Sequence, residues 1–528
     1  MSTAYDAVVV GAGPNGLVAA NRLVDAGWSV LVLEAASQVG GAVRSDTDVH
    51  AGFVHDTFSA FYPLALASPA IRPLDLESHG LVWRRAPAVL GHPLPDGGWA
   101  LLHRDREVTA ANLDAYATGD GEAWLDLCRS WDAVGQSLMD ALLSPFPPVR
   151  PALGVLRGLP RAHPRFARAL LGRGADPRLW PFRGEAARLL LAGSAGHTDL
   201  PLDAVGSGLM GTVIAMLGQT LGFPVPEGGS GRLSEALARR LESRGGEIRC
   251  STPVTRIAVE GRRAVAVESA DGRRTTVARA VLAAVTAPLL YGGLVAEGDL
   301  PRRVVWGMRR FRLDPGTVKV DWALSGPVPW RDRPAYAPGT VHVGDGVAEI
   351  AEAMAQVDAG SVPARPFLLV GQMTTTDPTR SPDGTESMWA YTHVPQHVTG
   401  DAGGEGLTGS WDHDECERFA DRVQARIEAH APGFGARVLA RRVLGPRELE
   451  ARDACLVGGS LNGGTGRLRQ QVVLRPVPGL ARAETGIGGL YLASSSAHPG
   501  GGVHGAAGMN AARAALAHDR VRRLVGHG

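Results

Sequence analysis

The chain has 528 residues, of which 45% are apolar and 20% charged, and its formal net charge is +1. These values are typical of a globular protein with more than one domain. Balanced charge gives no general attraction to nucleic acid or to an acidic partner, so we expect neither as a ligand. No purely apolar stretch reaches about 18 residues, so no membrane span is predicted.

The four cysteines lie far apart and form no CxxC pair. This spacing is not that of a zinc knuckle or a redox disulfide motif, so no metal site is predicted. The N-terminus has no basic segment followed by a long apolar run, and no secretory leader is expected. A chain of this size needs no disulfide framework, and we expect a cytoplasmic location.

The first elements in chain order form a strand–helix–strand unit. Residues 5–10 predict a strand, residues 14–26 predict a helix that ends at Gly27, and residues 29–34 predict a second strand. Two strands joined by one helix predict a parallel sheet, and hence an α/β fold.

The later elements return twice to this pattern. The predictions are helices at 107–145 and 205–223, a Gly-rich turn and amphipathic helix at 228–249, short strands ending in the buried run 280–285, short strands with one helix near 414–430 across 291–475, and a strand (489–495) and helix (504–517) at the end.

This alternation predicts one domain assembled from three separated pieces, with a second domain inserted between them. We assign residues 1–100, 226–290 and 476–528 to a dinucleotide-binding domain of the Rossmann type. Residues 101–225 and 291–475 form the inserted α+β substrate or cap domain.

Residues 11–16 read GAGPNG, a GxGxxG motif that follows a strand and opens a helix. Gly11 permits the tight turn, Gly13 lets the backbone approach a pyrophosphate, and Gly16 allows close helix–strand packing. Glu34, at the end of the second strand, is placed to accept hydrogen bonds from ribose hydroxyls. Because strand, helix, second strand and terminal acid coincide, the motif predicts dinucleotide binding.

Two further glycine clusters favour FAD over NAD. Gly40 and Gly41 with Arg44 extend the phosphate site, where a basic side chain can meet the diphosphate. Residues 499–505 end a strand and open an Ala-rich helix, whose free amides suit the flavin pyrimidine ring. No second strand–GxGxxG–helix unit is present, so we expect the electrons to pass to oxygen, a quinone or another acceptor.

The sequence resembles the FAD-dependent phytoene-desaturase-like oxidoreductases, which are close to amine oxidases in fold. The resemblance runs through most of the chain and is carried by GAGPNGLVAANRL (11–23), LEAASQVGGAVR (33–44), PEGGSGRLSEALARRLESRGGEIR (226–249), TVKVDWALSGPVPW (317–330), TTDPTRSPDGTESMWAYTHVP (375–395) and LYLASSSAHPGGGVHGAAGMNAA (490–512). It implies FAD as cofactor and a two-dinucleotide-binding fold.

The resemblance also implies contacts with each part of the cofactor. The residues implied to touch FAD are Gly11, Gly13, Pro14, Asn15, Gly16, Gly41, Ala42 and Arg44 around the diphosphate, Glu34, Ala35 and the Val254 backbone around the adenosine, and Gly502, Val503 and His504 against the flavin. The strand before the last glycine cluster departs from the family pattern at 493–495, and aromatic residues are few. An amine-oxidase-type aromatic cage is therefore not expected.

Four side chains are candidates for acid–base help. Of the 54 basic residues, Lys319 is the only lysine. Its position resembles that of the lysine that amine oxidases keep near flavin N5, although a strand lysine ion-paired elsewhere fits equally. His504 and His498 lie in or beside the flavin-facing turn, and His55 follows the Arg44 segment; a structural role is open for each.

Two segments suggest how a lipophilic substrate reaches the site. The apolar residues 205–223 predict either the lining of a tunnel or plain core. Residues 145–190 carry nine arginines against Asp176 and Glu185, a local net charge of +7. That segment predicts peripheral contact with an anionic membrane surface, with a solvated cap as the alternative.

The function that these features favour is an FAD-dependent desaturase or dehydrogenase that transfers hydride from a C–H bond of a carotenoid-like or other lipophilic small molecule to flavin N5. Three alternatives stay open at this stage: an amine or natural-product oxidase, a flavin-dependent isomerase or saturase, and a flavin-bound interaction protein without turnover. Fold and cofactor are common to all of them and do not rank their substrates.

Overall fold

The computed structural model describes residues 4–173, 181–479 and 482–525. Its strands are β1 (Tyr5–Val10), β2 (Val30–Leu33), β3 (Ser45–Asp46), β4 (His55–Asp56), β5 (Trp83–Arg84), β6 (Ala88–Pro93), β7 (Trp99–Leu102), β8 (Val225–Pro226), β9 (Glu247–Arg249), β10 (Val254–Glu260), β11 (Arg263–Ser269), β12 (Arg274–Ala283), β13 (Gly316–Leu324), β14 (Pro338–Val343), β15 (Ser361–Val362), β16 (Leu368–Gln372), β17 (Glu386–Val394), β18 (Gly400–Asp401), β19 (Val438–Leu444) and β20 (Leu490–Leu492).

The α-helices alternate with these strands along the chain. They are α1 (Pro14–Val24), α2 (Pro63–Ala67), α3 (Arg106–Asp114), α4 (Asp120–Leu143), α5 (Val149–Gly158), α6 (Pro164–Leu171), α7 (Glu185–Ala195), α8 (Ser207–Leu221), α9 (Gly231–Ser243), α10 (Ala287–Leu289), α11 (Arg302–Met308), α12 (Val347–Asp358), α13 (Met373–Thr376), α14 (His413–His430), α15 (Pro446–Arg452) and α16 (Ala506–Val525).

The first sheet has the order β10-β11-β12-β1-β2-β9, with β20 paired to β12. β1 runs parallel to both β2 and β12, and Val8 lies between Leu31 and Val281 in register. Helices α1, α9 and α16 contribute to one core cluster with this sheet, in which Leu17 and Leu237 are fully buried. The predicted strand–helix–strand unit and its parallel sheet are confirmed.

The second sheet has the order β19-β13-β17-β16-β14-β6-β7. Its pairs are antiparallel except for β14 with β6. One face packs on α14, where Trp322 meets Phe419 and Phe434 within a buried cluster. The opposite face packs on the helices α7 and α12, where Leu369 of β16 joins Leu189 and Ile350 in a buried cluster.

The prediction of a single helix across residues 291–475 is wrong. Besides α14, this range contains α11, α12, α13 and α15. In α12 the buried residues Ile350, Ala353 and Val357 recur at spacings of three and four, the period of a helix with one buried face. The stretch is short and lies between glycine turns, which favoured the strand interpretation.

Strands β6 and β7 show how the chain passes between the sheets. Both belong to the second sheet, and Leu90 of β6 pairs with Thr340 of β14. Residues 88–100 were placed with the dinucleotide-binding pieces on sequence grounds. We propose that the first piece ends near residue 87 and keep the rest of the three-piece division as a proposal.

Candidate flavin site

The turn between β1 and α1 is shaped by its glycines. Gly11 has φ of 98°, and a Cβ placed on Gly16 would lie 2.1 Å from the Gly11 carbonyl oxygen. Any side chain at Gly16 would therefore displace the turn. Pro14 occupies the first turn of α1, so the free amides at this helix start remain open to an anion.

Glu34 lies at the carboxyl end of β2, beside this turn. Its Oε2 accepts a hydrogen bond of 2.6 Å from the Ala12 amide, and its Oε1 accepts one of 2.8 Å from the Ala36 amide. These bonds fix the carboxylate while leaving further lone pairs for a hydroxyl. The exposed Ala35 follows it, and Val254 opens β10 nearby on the same edge of the sheet.

The glycine pair Gly40–Gly41 packs directly on the turn between β1 and α1. Gly40 donates its amide to the Ala12 carbonyl at 2.9 Å, and a Cβ on Gly41 would lie 3.2 Å from the Gly13 Cα. Ala42 and Arg44 follow. The Arg44 Nη2 donates to the Arg452 carbonyl at 2.7 Å, whereas its buried Nε has no hydrogen-bond partner within the part of the chain that the structure describes.

The second glycine turn joins β20 to α16. Gly500 and Gly502 have φ of 116° and 101°, and the Gly502 backbone is exposed. The turn is held against α1 because Gly508 of α16 packs on Asn15, where a Cβ would lie only 1.8 Å from the Asn15 carbonyl oxygen. The two glycine turns therefore meet along one edge of the first sheet.

A face of aromatic rings on the second sheet was not predicted. In β17, Trp389 and Tyr391 stack with their centroids 5.9 Å apart. Phe61 lies 5.9 Å from Trp389 and 6.4 Å from Phe223. We call Phe223, Phe61, Trp389 and Tyr391 the aromatic row.

The aromatic row comes near the second glycine turn. Phe61, Leu64 and Tyr391 keep a half-buried surface although they pack in core clusters. Burial raises the pKa of the Tyr391 phenol. Leu64 lies where a Cβ on Gly502 would come within 2.7 Å of it, and Phe61 precedes Leu64 by three residues. The row therefore comes nearest the turn that is expected to meet the flavin at Phe61, one of its middle rings.

Two known protein families match parts of this sequence. Residues 112–386 match the flavin-containing amine oxidoreductase family, and residues 9–72 match the NAD(P)-binding Rossmann-like domain. The first match spans half of the chain. The protein belongs to the flavin-containing amine oxidoreductase family.

Similar proteins extend along almost the whole chain of this flavoenzyme. It is 30% identical to hydroxyneurosporene desaturase of Cereibacter sphaeroides, covering 97% of each chain. It is 29% identical to pyridine nucleotide-disulfide oxidoreductase domain-containing protein 2 of Mus musculus, covering 96% of this chain and 92% of the mouse protein. An oxidoreductase structure from Methanosarcina mazei, 15% identical, covers 97% of this chain and 99% of its own with a TM-score of 0.62, which shows a shared fold.

The flavoenzyme's cofactor is FAD, and the residues present fit it. Gly16 and Gly41 let backbone pack closely on backbone around the turn between β1 and α1, and among the described residues the buried Arg44 Nε has no hydrogen-bond partner. Both features suit a diphosphate, which needs close backbone approach and charged donors. The enzyme interpretation of the sequence is confirmed with the cofactor, and the reading as an interaction protein without turnover is set aside.

Lys319 lies in β13, buried and ion-paired. Its Nζ donates to the Asp56 carbonyl at 2.9 Å and pairs with the Asp321 carboxylate. Asp321 also binds Arg442 at 2.7 Å. Burial lowers the pKa of the Lys319 ammonium, and the Asp321 carboxylate opposes this shift.

The Lys319 network also binds the segment after Arg44 to the second sheet. Arg442 binds Asp46 at 2.7 Å, and Arg380 bridges Asp56 and Asp377, each at 3.0 Å. We propose that Lys319 positions this segment rather than transferring protons.

His504 lies inside the second glycine turn, where both its ring and its carbonyl accept hydrogen bonds. Its Nδ1 accepts a hydrogen bond of 3.0 Å from the Ala506 amide, and its carbonyl accepts one from the Ser68 hydroxyl. Burial lowers the pKa of His504 to about 4, so the ring is neutral at pH 7. Val503 packs on the core of the first sheet beside it. These bonds fix the turn, and we propose a structural role for His504.

His498 and His55 face backbone carbonyls. The His498 Nε2 bonds the Ser144 carbonyl at 2.9 Å, and this ring lines a cleft of about 340 Å³ beside Arg482 and Arg513. The His55 Nε2 bonds the Trp322 carbonyl at 3.1 Å. Burial lowers the pKa of both rings. Neither contact supports acid–base duty, so both remain untested candidates.

One pattern in the sequence could have predicted part of the aromatic row. In the stretch ESMWAYTHV, Trp389, Tyr391 and His393 alternate with Met388 and Ala390, and the latter two lie in the core on the opposite face. Period-two alternation of this kind predicts a strand with one aromatic face.

Proposed function

We propose that this flavoenzyme is a desaturase or dehydrogenase of a neutral, lipophilic, polyene-like substrate. The observation that carries the proposal is the aromatic row beside the second glycine turn. Flat rings of which Phe61 and Tyr391 keep a half-buried surface suit a long apolar molecule, because they bury large area without polar partners. The similarity to hydroxyneurosporene desaturase supports the same substrate class.

Bound FAD supplies the two-electron acceptor for this reaction. The chain's own residues then have three tasks. The aromatic row orients the substrate chain, Leu64 and Phe61 exclude water beside the turn, and the Lys319 network holds the 44–58 segment against β13. An activated allylic C–H bond needs no further charged group, so neutral walls are sufficient.

Amine oxidation is the second candidate, because the matched family is named for it. One observation disfavours it. Trp389 and Tyr391 stack at 5.9 Å, whereas a substrate between two rings needs about 7 Å, two carbon contact distances.

The test is anaerobic flavin bleaching by a polyene in detergent, with an amine panel alongside. We expect bleaching by the polyene and recovery on adding air or a quinone, which identifies the electron acceptor. Trp389→Leu should raise the polyene KM, while Trp411→Leu, which alters a buried ring in the cluster behind the sheet, should not.

Each contrary result of that test has its own meaning. Bleaching by amines alone would transfer the assignment to the oxidase class. Bound flavin that neither substrate bleaches, together with a rearranged polyene product, would identify an isomerase.

We also propose that α5 contacts an anionic membrane surface from which the substrate is drawn. Val149, Leu153 and Leu156 are 59%, 45% and 62% exposed on this helix, and Arg150 and Arg157 lie beside them. Apolar and basic residues together suit an interfacial helix. Within the described ranges, every helix is too short or too polar to cross a bilayer. Residues 174–180 of the predicted 145–190 segment lie outside those ranges.

A further inference from the structure

A cleft of about 340 Å³ lies between α16, the loop that joins α4 to α5, and the segment that leads into β20. Its volume is within the range of about 300–1,000 Å³ that is usual for small-molecule sites. We call it the α16 cleft. Its lining differs from the aromatic row, and the polar side chains in it are Arg482, Glu484, His498, Asn510, Arg513 and His518.

Two arginines give the α16 cleft a positive charge. Arg482 and Arg513 line it from separate segments, and the Arg482 Nε donates to the Phe146 carbonyl at 3.1 Å, which holds this guanidinium beside the cleft. Within the described ranges, neither arginine is paired with a carboxylate, and burial and the charge of Arg22 both lower the pKa of Arg513. Two guanidiniums without carboxylate partners suit an anion, and their forked N–H donors suit a phosphate.

Three other side chains of the cleft have a buried acceptor atom that receives no hydrogen bond from the described residues. The His498 Nε2 bonds the Ser144 carbonyl at 2.9 Å, so this nitrogen carries the proton and the unpartnered Nδ1 is an acceptor. The Asn510 Nδ2 donates to the Leu143 carbonyl at 3.4 Å, so the unpartnered atom is the Oδ1. The third acceptor is the Glu484 Oε2.

Of these acceptors, the Asn510 oxygen indicates a ligand most directly. Asn510 is only 7% exposed, and a buried acceptor without a donor is unfavourable. Because Asn510 lines the cleft, a molecule bound there can supply the missing donor. Glu484 is held for the same purpose, since its Oε1 lies 3.6 Å from the His518 Nε2 while its Oε2 stays unpartnered.

A ligand of the α16 cleft therefore needs two kinds of group. It needs an anion for the guanidiniums and hydrogen-bond donors for the three acceptors. With neutral histidines, two guanidiniums and one carboxylate sum to one positive charge, which one singly charged anion balances. Hydroxyl groups donate without adding charge, whereas an ammonium would be repelled by Arg482 and Arg513. A glycerol phosphodiester combines one negative charge with free hydroxyls.

We propose that the α16 cleft binds a glycerol phosphodiester, with its phosphate on Arg482 and Arg513 and its hydroxyls on Asn510 and His498. This inference goes beyond the proposed function and does not depend on the desaturase reaction. The group can come from the headgroup of phosphatidylglycerol or from a free glycerol phosphodiester. The position favours the lipid, because the residues 145–147 that line the cleft lead directly into α5, whose apolar side chains are exposed.

The first test uses two soluble phosphodiesters of equal charge on the holoenzyme. Glycerophosphoglycerol has hydroxyls, and dimethyl phosphate has none. In calorimetric titration we expect the former to bind roughly fivefold to tenfold more tightly, the effect of one neutral hydrogen bond or slightly more. Asn510→Leu should remove this difference.

The arginine variants test the phosphate contact. Arg513→Gln should weaken the binding of both phosphodiesters at least fivefold, the loss of one charged hydrogen bond. Arg520→Gln is the matched control, because Arg520 is an exposed arginine of the same helix outside the cleft lining. It should leave both affinities unchanged. A normal flavin spectrum in each variant shows that the fold is intact.

The second test distinguishes the lipid from the free ester. Vesicles of phosphatidylcholine carry the same fraction of either phosphatidylglycerol or phosphatidylserine, each with one net negative charge, so general attraction to the surface is equal. We expect several-fold tighter sedimentation with phosphatidylglycerol. Arg513→Gln and Asn510→Leu should remove this preference, and Arg520→Gln should keep it.

Each outcome supports or overturns the proposal. A vesicle preference that the cleft variants remove supports the lipid source, and selective binding of glycerophosphoglycerol with equal vesicle binding supports the free ester. If the wild type distinguishes neither pair, or Arg513→Gln behaves like Arg520→Gln throughout, the proposal is wrong. Should Asn510→Leu lose its flavin, the wild-type comparisons and Arg513→Gln still decide. Flavin bleaching by polyenes is independent of all these results.

Discussion

The cofactor side and the substrate side of this flavoenzyme present opposite kinds of surface. At the glycine turns, backbone packs closely on backbone, so side chains are excluded at Gly16 and Gly41. On the facing sheet, side chains form the surface, and the buried charges Lys319 and Asp321 neutralise each other. The dinucleotide site is thus formed by backbone that tolerates no added side chain. The proposed substrate site is formed by side chains, which can be substituted without moving the backbone.

The largest effect is expected from filling the first turn. Gly16→Ala places a Cβ 2.1 Å from the Gly11 carbonyl oxygen, a contact that no rotamer relieves. We expect purified protein with no bound FAD and at least a hundredfold weaker cofactor affinity, measured from the visible spectrum and by titration. Gly292→Ala is the matched control, because nothing lies within 4 Å of its Cβ position. Normal flavin content in Gly16→Ala would show that the turn is not the binding element.

The buried network on the substrate side comes second. Asp321→Asn leaves Lys319 and Arg442 without their shared carboxylate, and breaking a buried pair costs about 3–5 kcal/mol. Chemical denaturation should show this loss. Asp132→Asn, whose partner Arg106 is 38% exposed, should cost at most about 1 kcal/mol. Equal losses in the two variants would contradict the importance of burial.

The same carboxylate gives a pH signature. Although burial opposes it, the charges of Lys319 and Arg442 hold the pKa of Asp321 below its usual value. A depressed carboxyl pKa adds stability above the unfolded value of about 3.9, and that stability is lost as pH falls through the folded pKa. Acid unfolding followed by circular dichroism should therefore be less steep in Asp321→Asn. An unchanged acid limb would argue that Asp321 is protonated in the fold.

Replacing the lysine distinguishes positioning from proton transfer. We expect Lys319→Met to retain turnover within about tenfold, since its donors are used by Asp56 and Asp321. Loss of a general acid or base would instead cost about 10²–10⁴. Steady-state rates and their pH profile should be measured on protein with a normal flavin spectrum. A hundredfold loss with that spectrum intact would assign Lys319 to catalysis.

The smallest effect concerns the membrane face. Leu153→Ser with Leu156→Ser removes two exposed apolar side chains from α5. We expect several-fold weaker binding to anionic phosphatidylserine vesicles in sedimentation, with turnover of detergent-dispersed substrate unchanged. Val521→Ser on the exposed side of α16 is the control. Equal vesicle binding by both proteins would leave α5 as a solvated surface.

The cofactor could be predicted from the sequence because the residues expected to bind it lie close together along the chain. Gly11, Gly16 and Glu34 stand within one unit of strand, helix and strand, so spacing alone predicted their meeting. The substrate side depends on contacts between distant residues. In the aromatic row, Phe61 contacts rings that follow it by 162 and 328 positions, and no periodicity joins them.

Two other features have the same cause. The helix α12 has no local side-chain cap; it is stabilised by tertiary burial of Ile350 and Val357 and by Glu185 of α7, which accepts from the Val347 amide, so its sequence alone was ambiguous. Strand β6 follows the dinucleotide unit in sequence, yet pairs with β14, about 250 residues later. Where an element's partner lies far along the chain, the sequence predicts the fold class but not the sheet or layer to which that element belongs.

The β20 strand and α16 have a consequence for synthesis on the ribosome. The first turn emerges early, but β12, β20 and α16 complete its sheet and its packing only after residue 490 has been made. At about 5–20 residues per second, Gly16 waits tens of seconds before Gly508 can pack against Asn15. During that interval the nascent chain exposes apolar sheet surface, so its yield in cells should depend on chaperones and on free FAD at the moment of release.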